Sequence, residues 1–314
     1  MLGRLVHTAR KITMATGFSR LGPPVKSRIH NWSEEKPDLS SHVAVITGAT
    51  GETGRVIAKS LAERGAAVWL IDTSESAIEK TVQAIRSATG NEHVEGHGAD
   101  MEEFSSVRNL SDDIHATTDH VDILVHNAGS RHDQWTTTTS GVEVTLASHV
   151  LGPYILTRRL EDRFSPGARI LFMASGGLFT PEFDLSGLEM PARNYNGRLA
   201  HSRASRAQVV LARRLGEDYR NRFIVHAMHP GWSGSNSHNG RLHRLTTPLQ
   251  RSPEQAADTM VWLATAQEPA LSSGAFWHDR TRRSPAYIPR SMTDPRDESR
   301  LIPWIEARIR KAER

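Results

Sequence analysis

From residue 42 onward, short apolar runs alternate with stretches whose apolar residues recur every three or four positions. The runs His42 to Ile46 and Ala67 to Ile71 are almost wholly apolar and of strand length, the pattern of strands buried on both faces. Val56, Ile57 and Leu61 place an amphipathic helix after the first run, and Ile78, Val82 and Ile85 place another after the second. A third strand is expected near His93 to Ala99, followed by a helix carrying Phe104, Val107, Leu110 and Ile114. Further strands are expected at Val121 to Val125, Ile170 to Met173, Ile224 to Met228 and Gly274 to Trp277, with helices near 142–160, 200–218 and 253–266. The last helix opens on Ser252-Pro253-Glu254-Gln255, where Ser252 suits the N-cap and Pro253 the first helical position. Such alternation predicts an α/β fold with a mostly parallel sheet covered by helices on both faces. The boundaries expected are a basic helical leader and linker over 1–40, one doubly wound domain over 41–290, and a basic helical tail over 291–314.

Composition narrows the partners. The 314 residues are ample for a buried core, and no apolar run approaches the roughly 20 residues that span a bilayer. The absence of cysteine excludes disulfides, thiolate metal sites and cysteine nucleophiles, and fits a reducing, cytoplasmic setting. The net charge of +4 is unevenly placed: residues 1–33 contain six Lys and Arg and no acid, which leaves −2 for the rest. The body is therefore not basic, no lysine stripe interleaves with aromatics, and no nucleic-acid partner is expected. Leu2, Leu5, Val6, Ala9 and Ile12 recur at near-helical spacing around Arg4, Arg10 and Lys11. We read this leader as a helix packed on the domain, with Gly22-Pro23-Pro24 as a linker; peripheral membrane contact or organelle targeting stays open. The sixteen histidines form no His-Glu-x-x-His or comparable set, so no metal is expected, and Ser175 lacks the Gly-x-Ser-x-Gly elbow of a hydrolase nucleophile.

The chemistry begins at Thr47-Gly48-Ala49-Thr50-Gly51-Glu52-Thr53-Gly54, which follows the first strand and opens a helix. Glycines there let the backbone approach a pyrophosphate, whose charge rests on the helix's free N–H groups and positive dipole end. Asp72, eighteen residues after Gly54, ends the second strand. A carboxylate at that place accepts hydrogen bonds from both adenosine ribose hydroxyls and repels a 2′-phosphate. NAD is the cofactor this implies, with NADP second.

These features together resemble the short-chain dehydrogenase/reductases, and imply their single Rossmann-type domain with a seven-stranded sheet. Asp100-Met101 is similar to the family's acidic pair beside adenine, His126-Asn127-Ala128-Gly129 to its Asn-Asn-Ala-Gly element, and Pro230-Gly231 to the Pro-Gly after the sixth strand. The resemblance is strongest to the branch of proteins like dehydrogenase/reductase SDR family member 12. It rests on Phe18-Ser19-Arg20-Leu21-Gly22, Val150 to Thr157, Ser175-Gly176-Gly177-Leu178, His229-Pro230-Gly231-Trp232, Ala257 to Leu263 and Ser273 to Arg280, so it covers about residues 18–290. The chain departs from that branch in having glycine at Gly51 and not at Glu52, and Thr73 where many relatives carry an arginine. The resemblance also implies that Ser235 meets the nicotinamide carboxamide.

In this family an Asn, Ser, Tyr and Lys quartet carries the proton during hydride transfer. The resemblance aligns His149 with the Asn, Ser175 with the Ser, and His201 and Ser205 with the Tyr and Lys. Three readings stay open. The chain is an oxidoreductase with His201 as proton donor and Tyr195 as a nearby substitute, imidazole needing no lysine to titrate near neutrality. Alternatively His201, His149 and Ser175 perform redox-neutral proton shuffling such as dehydration, isomerisation or cyclisation. In the third, the chain binds a dinucleotide and catalyses nothing. Segments 179–198 and 232–251 are expected to set the substrate, and Phe179, Phe183 and Trp232 suggest a small apolar or aromatic one. Helices 142–160 and 200–218 form a dimer interface in many relatives, so a homodimer is an expectation of the resemblance.

Overall fold

A computed structural model describes residues 17–30, 32, 36–129, 131–179, 182–233, 247–285 and 294–314. After helix α1 (Gly22–His30) the chain runs β1 (Val43–Thr47), α2 (Glu52–Ala62), β2 (Ala67–Asp72), α3 (Glu75–Thr89), β3 (Val94–Gly98) and α4 (Phe104–Thr117). It continues through β4 (Val121–His126), α5 (Gly152–Arg159), β5 (Phe164–Met173), α6 (Gly197–Asp218) and β6 (Ile224–Met228). The last elements are α7 (Pro253–Thr265), β7 (Ala275–His278), β8 (Thr281–Arg283) and α8 (Pro295–Ala312). The described strands form one sheet in the order β3-β2-β1-β4-β5-β6-β7-β8, parallel except for β8.

The period-2 pattern of each strand divides the core. Val45, Trp69, Ile71, Leu124 and Phe172 face α4, α5 and α6, while Ala44, Ile46, Val68, Leu70 and Leu171 face α2 and α7. Ser252 caps α7 as the sequence predicts: its hydroxyl accepts from Gln255 N, and the Gln255 side chain accepts from Ser252 N. The order reverses between β1 and β4, which opens a crevice at their carboxyl ends.

Three features differ from expectation. Gly22-Pro23-Pro24 is no linker but the first turn of α1, where proline's missing N–H costs nothing and its fixed φ suits a helix. An eighth strand joins the expected seven because Asp279 (φ 51°) and Arg280 (φ 48°) form a two-residue hairpin turn. That left-handed turn is held by its side chains: Asp279 pairs with Arg251 and Lys26, and Arg280 pairs with Asp258. The tail also reaches the core, because Leu301 and Ile305 of α8 are fully buried in the cluster under α6.

Candidate functional site

A cleft of about 1300 Å³ lies where the parallel strands end, lined by Gly48 after β1, Asp72 on β2, Asn127 after β4, Ser175 after β5 and Pro230 after β6. At one end the glycine turn is tightly folded. A Cβ at residue 54 would stand 2.2 Å from Gly48 O, so only glycine lets the turn close on itself. Asn127 ties the turn to β4, its Nδ2 donating to Thr47 O at 3.2 Å and Gly48 O at 2.9 Å. The Thr47 hydroxyl accepts from Asn127 N and Ala128 N, so Thr47 braces the turn from below and is not among the lining residues. Gly51 is the N-cap of α2 and supplies no side-chain cap, and Glu52, Thr53 and Gly54 of the first turn line the cleft. Helix N–H groups without an internal partner thus open on it. Glu52 is exposed, so water screens its charge.

Asp72 fastens the same turn to β2. Its Oδ2 accepts from Thr50 N at 3.1 Å and Thr50 Oγ1 at 2.7 Å, and its Oδ1 accepts from Thr73 N at 2.8 Å. One lone-pair direction on Oδ1 remains for a ligand hydroxyl. Asp100 and Met101 also line the cleft, Asp100 being set by bonds from its N to Ser106 Oγ and from Glu102 N to its Oδ1. Gly129, Pro230 and Gly231 complete this wall; Ser235 lies outside the described residues.

At the other end the cleft gathers Ser175, His149, His201 and Ser205. The helix expected over 142–160 is interrupted: Ala147–Leu151 is a π-turn, and it carries His149 with its ring against the backbone of Gly129. His149 Nδ1 lies 3.0 Å from Thr145 O, so that nitrogen carries the proton and Nε2 keeps its lone pair. The His201 ring stands perpendicular to it, with centroids 4.9 Å apart. Burial pushes His149 down to about 3 and His201 down to about 4, the Arg131 charge adding to the fall at His201. Both rings are therefore neutral at pH 7. His201 and Ser205 share one face of α6 by their four-residue spacing. His201 Nδ1 and Ser205 Oγ are buried without a hydrogen-bond partner among the described residues.

Tyr195 is not brought to the cleft. Its hydroxyl donates to the buried Glu143 carboxylate at 3.0 Å and lies 3.0 Å from Thr145 Oγ1, and burial holds its pKa up at about 12. It braces the turn that Glu143 caps and is not among the residues that line the cleft. Of the aromatic residues suggested for substrate contact, Phe179 and Trp232 line the cleft, whereas Phe183 is buried elsewhere in the core. Sequence reasoning missed Phe18, Arg131, His229 and Arg251, which line it too. Two of them carried a signal, Phe18 in the Phe-Ser-Arg-Leu-Gly run and His229 in the His-Pro-Gly-Trp run, and His229 Nδ1 accepts from Gly231 N at 2.8 Å. Among the described residues no three His, Asp or Glu side chains cluster to hold a metal ion, and no helix is long and apolar enough to cross a membrane.

Comparison with known proteins agrees with this geometry. A family model described as short chain dehydrogenase matches residues 42–186. Dehydrogenase/reductase SDR family member 12 from Bos taurus is 29% identical over 280 residues, covering 85% of this chain and 86% of that protein. Retinol dehydrogenase 13 from Homo sapiens is 28% identical over 265 residues, covering 80% of each. A crystal structure of an uncharacterised protein from Mycobacterium paratuberculosis superposes with TM-score 0.71 at 24% identity, over 87% of this chain and 95% of that one. A short chain dehydrogenase from Burkholderia cenocepacia in complex with NADP gives TM-score 0.63 at 20% identity, over 76% and 96%. With its strand order and glycine turn in accord, the chain is similar over residues 42–186 to the short chain dehydrogenases and shares the Rossmann-like fold of their solved structures.

Proposed function

We propose that this protein interconverts an alcohol and its carbonyl partner on a small apolar or aromatic molecule, using NAD(H), with His201 as the proton carrier. One observation carries the reading: a single cleft joins the glycine turn and Asp72 to Ser175, His149, His201 and Ser205. The cradle suits a dinucleotide, because the uncapped N-terminus of α2 offers free N–H groups to a pyrophosphate and Gly51 leaves the approach open. Asp72 offers its remaining lone pair to a ribose hydroxyl, and no arginine at Thr73 offsets its charge against a 2′-phosphate, which favours NAD(H) over NADP(H). The NADP complex of the Burkholderia relative supports dinucleotide binding as such. When bound, the nicotinamide supplies or accepts the hydride.

The protein's own part is the proton. A neutral His201 accepts the hydroxyl proton of an alcohol, and toward a carbonyl it offers only an N–H hydrogen bond, since imidazole is a far weaker acid than imidazolium. The site is thus better disposed to alcohol oxidation than to reduction at neutral pH. Ser175 orients the substrate oxygen, and His149, with its proton fixed toward Thr145 O, presents a lone pair to the same space. The paired neutral rings favour one second reading, a redox-neutral proton transfer, which deuterium uptake from solvent without dinucleotide turnover would reveal. The test of the first is His201→Phe assayed with NAD⁺ and secondary alcohols. Turnover should fall by roughly 10²–10⁴ with NADH affinity retained. An unaltered rate removes His201 from the role.

A further inference from the structure

The chain ahead of the first strand reaches the cleft through Phe18. Phe18 lines it with its ring partly exposed, 4.6 Å from the His278 ring and stacked on it, 5.0 Å from His229 edge-on, and 5.6 Å from Phe179. Its backbone is stitched down on both sides of that ring. Phe18 O accepts from Trp232 N at 2.7 Å, Arg20 N donates to Leu249 O at 2.9 Å, and Gln255 Nε2 donates to Arg20 O at 3.0 Å. Lys26 Nζ lies 2.6 Å from Asp279 Oδ2.

Arg251 is the fastener of this unit. Its buried guanidinium donates from Nε to Phe18 O (3.1 Å), from Nη1 to Pro230 O (3.1 Å) and Asp279 Oδ1 (2.6 Å), and from Nη2 to Gly17 O (2.8 Å) and Asp279 Oδ2 (2.9 Å). All five donors are used, so although Arg251 lines the cleft it has none left for a ligand anion. Gly231 makes this possible. With φ +89° it turns a face without a side chain to the guanidinium, where a Cβ would stand 2.1 Å from Nε. The strap is thereby locked to the Pro230-Gly231 turn on the cofactor side and to the β7–β8 hairpin behind.

From this we propose that residues 17–30 form an in-chain wall of the substrate end of the cleft. Phe18 is then a specificity-determining residue that, with Phe179 and the half-exposed Trp232, receives the flat ring of an aryl-bearing alcohol or ketone. Three aromatic side chains lining one cleft with two neutral imidazoles suit an uncharged ring-bearing substrate better than a short aliphatic or anionic one. The assignment of that end to substrate rests on the function proposed above.

The test uses the full chain with NADH present and two probes, 4-phenyl-2-butanone and 2-butanone, with affinity read by ligand-observed NMR and turnover read separately. The wild type should hold the aryl ketone more tightly than 2-butanone. Phe18→Ala should weaken the aryl ketone by between about threefold and tenfold, as loss of one aromatic contact does, with 2-butanone and NADH affinities held. Phe18→Leu keeps the apolar bulk and should act in the same direction with a native melting temperature, which guards against a misfolded Phe18→Ala. Equal binding of both ketones by the wild type, or aryl-ketone affinity unmoved in both variants, overturns the wall. If the binding difference holds while neither ketone turns over, the wall stands and the hydride-transfer reading falls.

Discussion

At the residue scale, the informative quantity is the protonation state of the imidazole at position 201. Burial lowers its pKa to about 4, and a base must be unprotonated to accept the alcohol's proton. We therefore expect kcat/KM for alcohol oxidation to be level from neutrality down to about pH 5 and to fall only as the pH drops through about 4. A profile falling through pH 6.5 would show an unperturbed imidazole and contradict this. His149, Ser175, His201 and Ser205 were named from the sequence only through the family resemblance, and the fold gathers all four on one cleft. Tyr195 stands off the cleft for a reason no local pattern shows. The carboxylate that captures its hydroxyl, Glu143, lies 52 residues earlier in the chain. Arg251 was invisible likewise, since its partners Gly17 and Phe18 stand more than 230 residues away and contribute only backbone carbonyls and no motif.

At the element scale, apolar periodicity recovered the strands and helices, since two-sided burial leaves nearly continuous apolar runs in β1, β2 and β4. It did not recover β8, because its turn is Asp279-Arg280 and not the Asp-Gly that signals a hairpin; tertiary ion pairs hold the strained backbone. Nor did the charge-rich composition of α8 advertise its role. Ile305 is fully buried against the core, and Arg213–Glu298 and Arg308–Glu189 pairs seat the helix on its neighbours. Ile305→Ala should cost about 2–5 kcal/mol in chemical denaturation, the usual loss for a buried isoleucine. A change below about 0.5 kcal/mol would show that α8 is a peripheral tail.

At the scale of the whole molecule, α8 bears on assembly, because it packs along α6 and bonds to Tyr154 of α5, the two helices the family resemblance assigns to a dimer face. Acid sensitivity is also a property of the whole. His126, His149, His226, His229 and His278 are buried, and burial lowers the pKa of every one, to about 3 at His126 and His149 and about 4 at His226 and His278. Each must stay neutral in the fold while its unfolded form takes a proton below about pH 6.5, so stability is complete above that pH and is lost as pH falls toward the folded values. Protonation of these rings in the unfolded chain draws on the fold's stability progressively below about pH 6.5. The melting temperature should therefore be lower at pH 5.5 than at pH 7, and equal values at the two pHs would refute the neutral burial of these rings. The most direct test of the central claim, that the glycine turn and Asp72 hold NAD(H) before an imidazole proton carrier, is calorimetric titration with NAD⁺, NADH, NADP⁺ and NADPH. NADH should give saturable heat, at an affinity at least about tenfold above that for NADPH, whereas no heat from any of the four at millimolar concentration would leave the cleft without a dinucleotide.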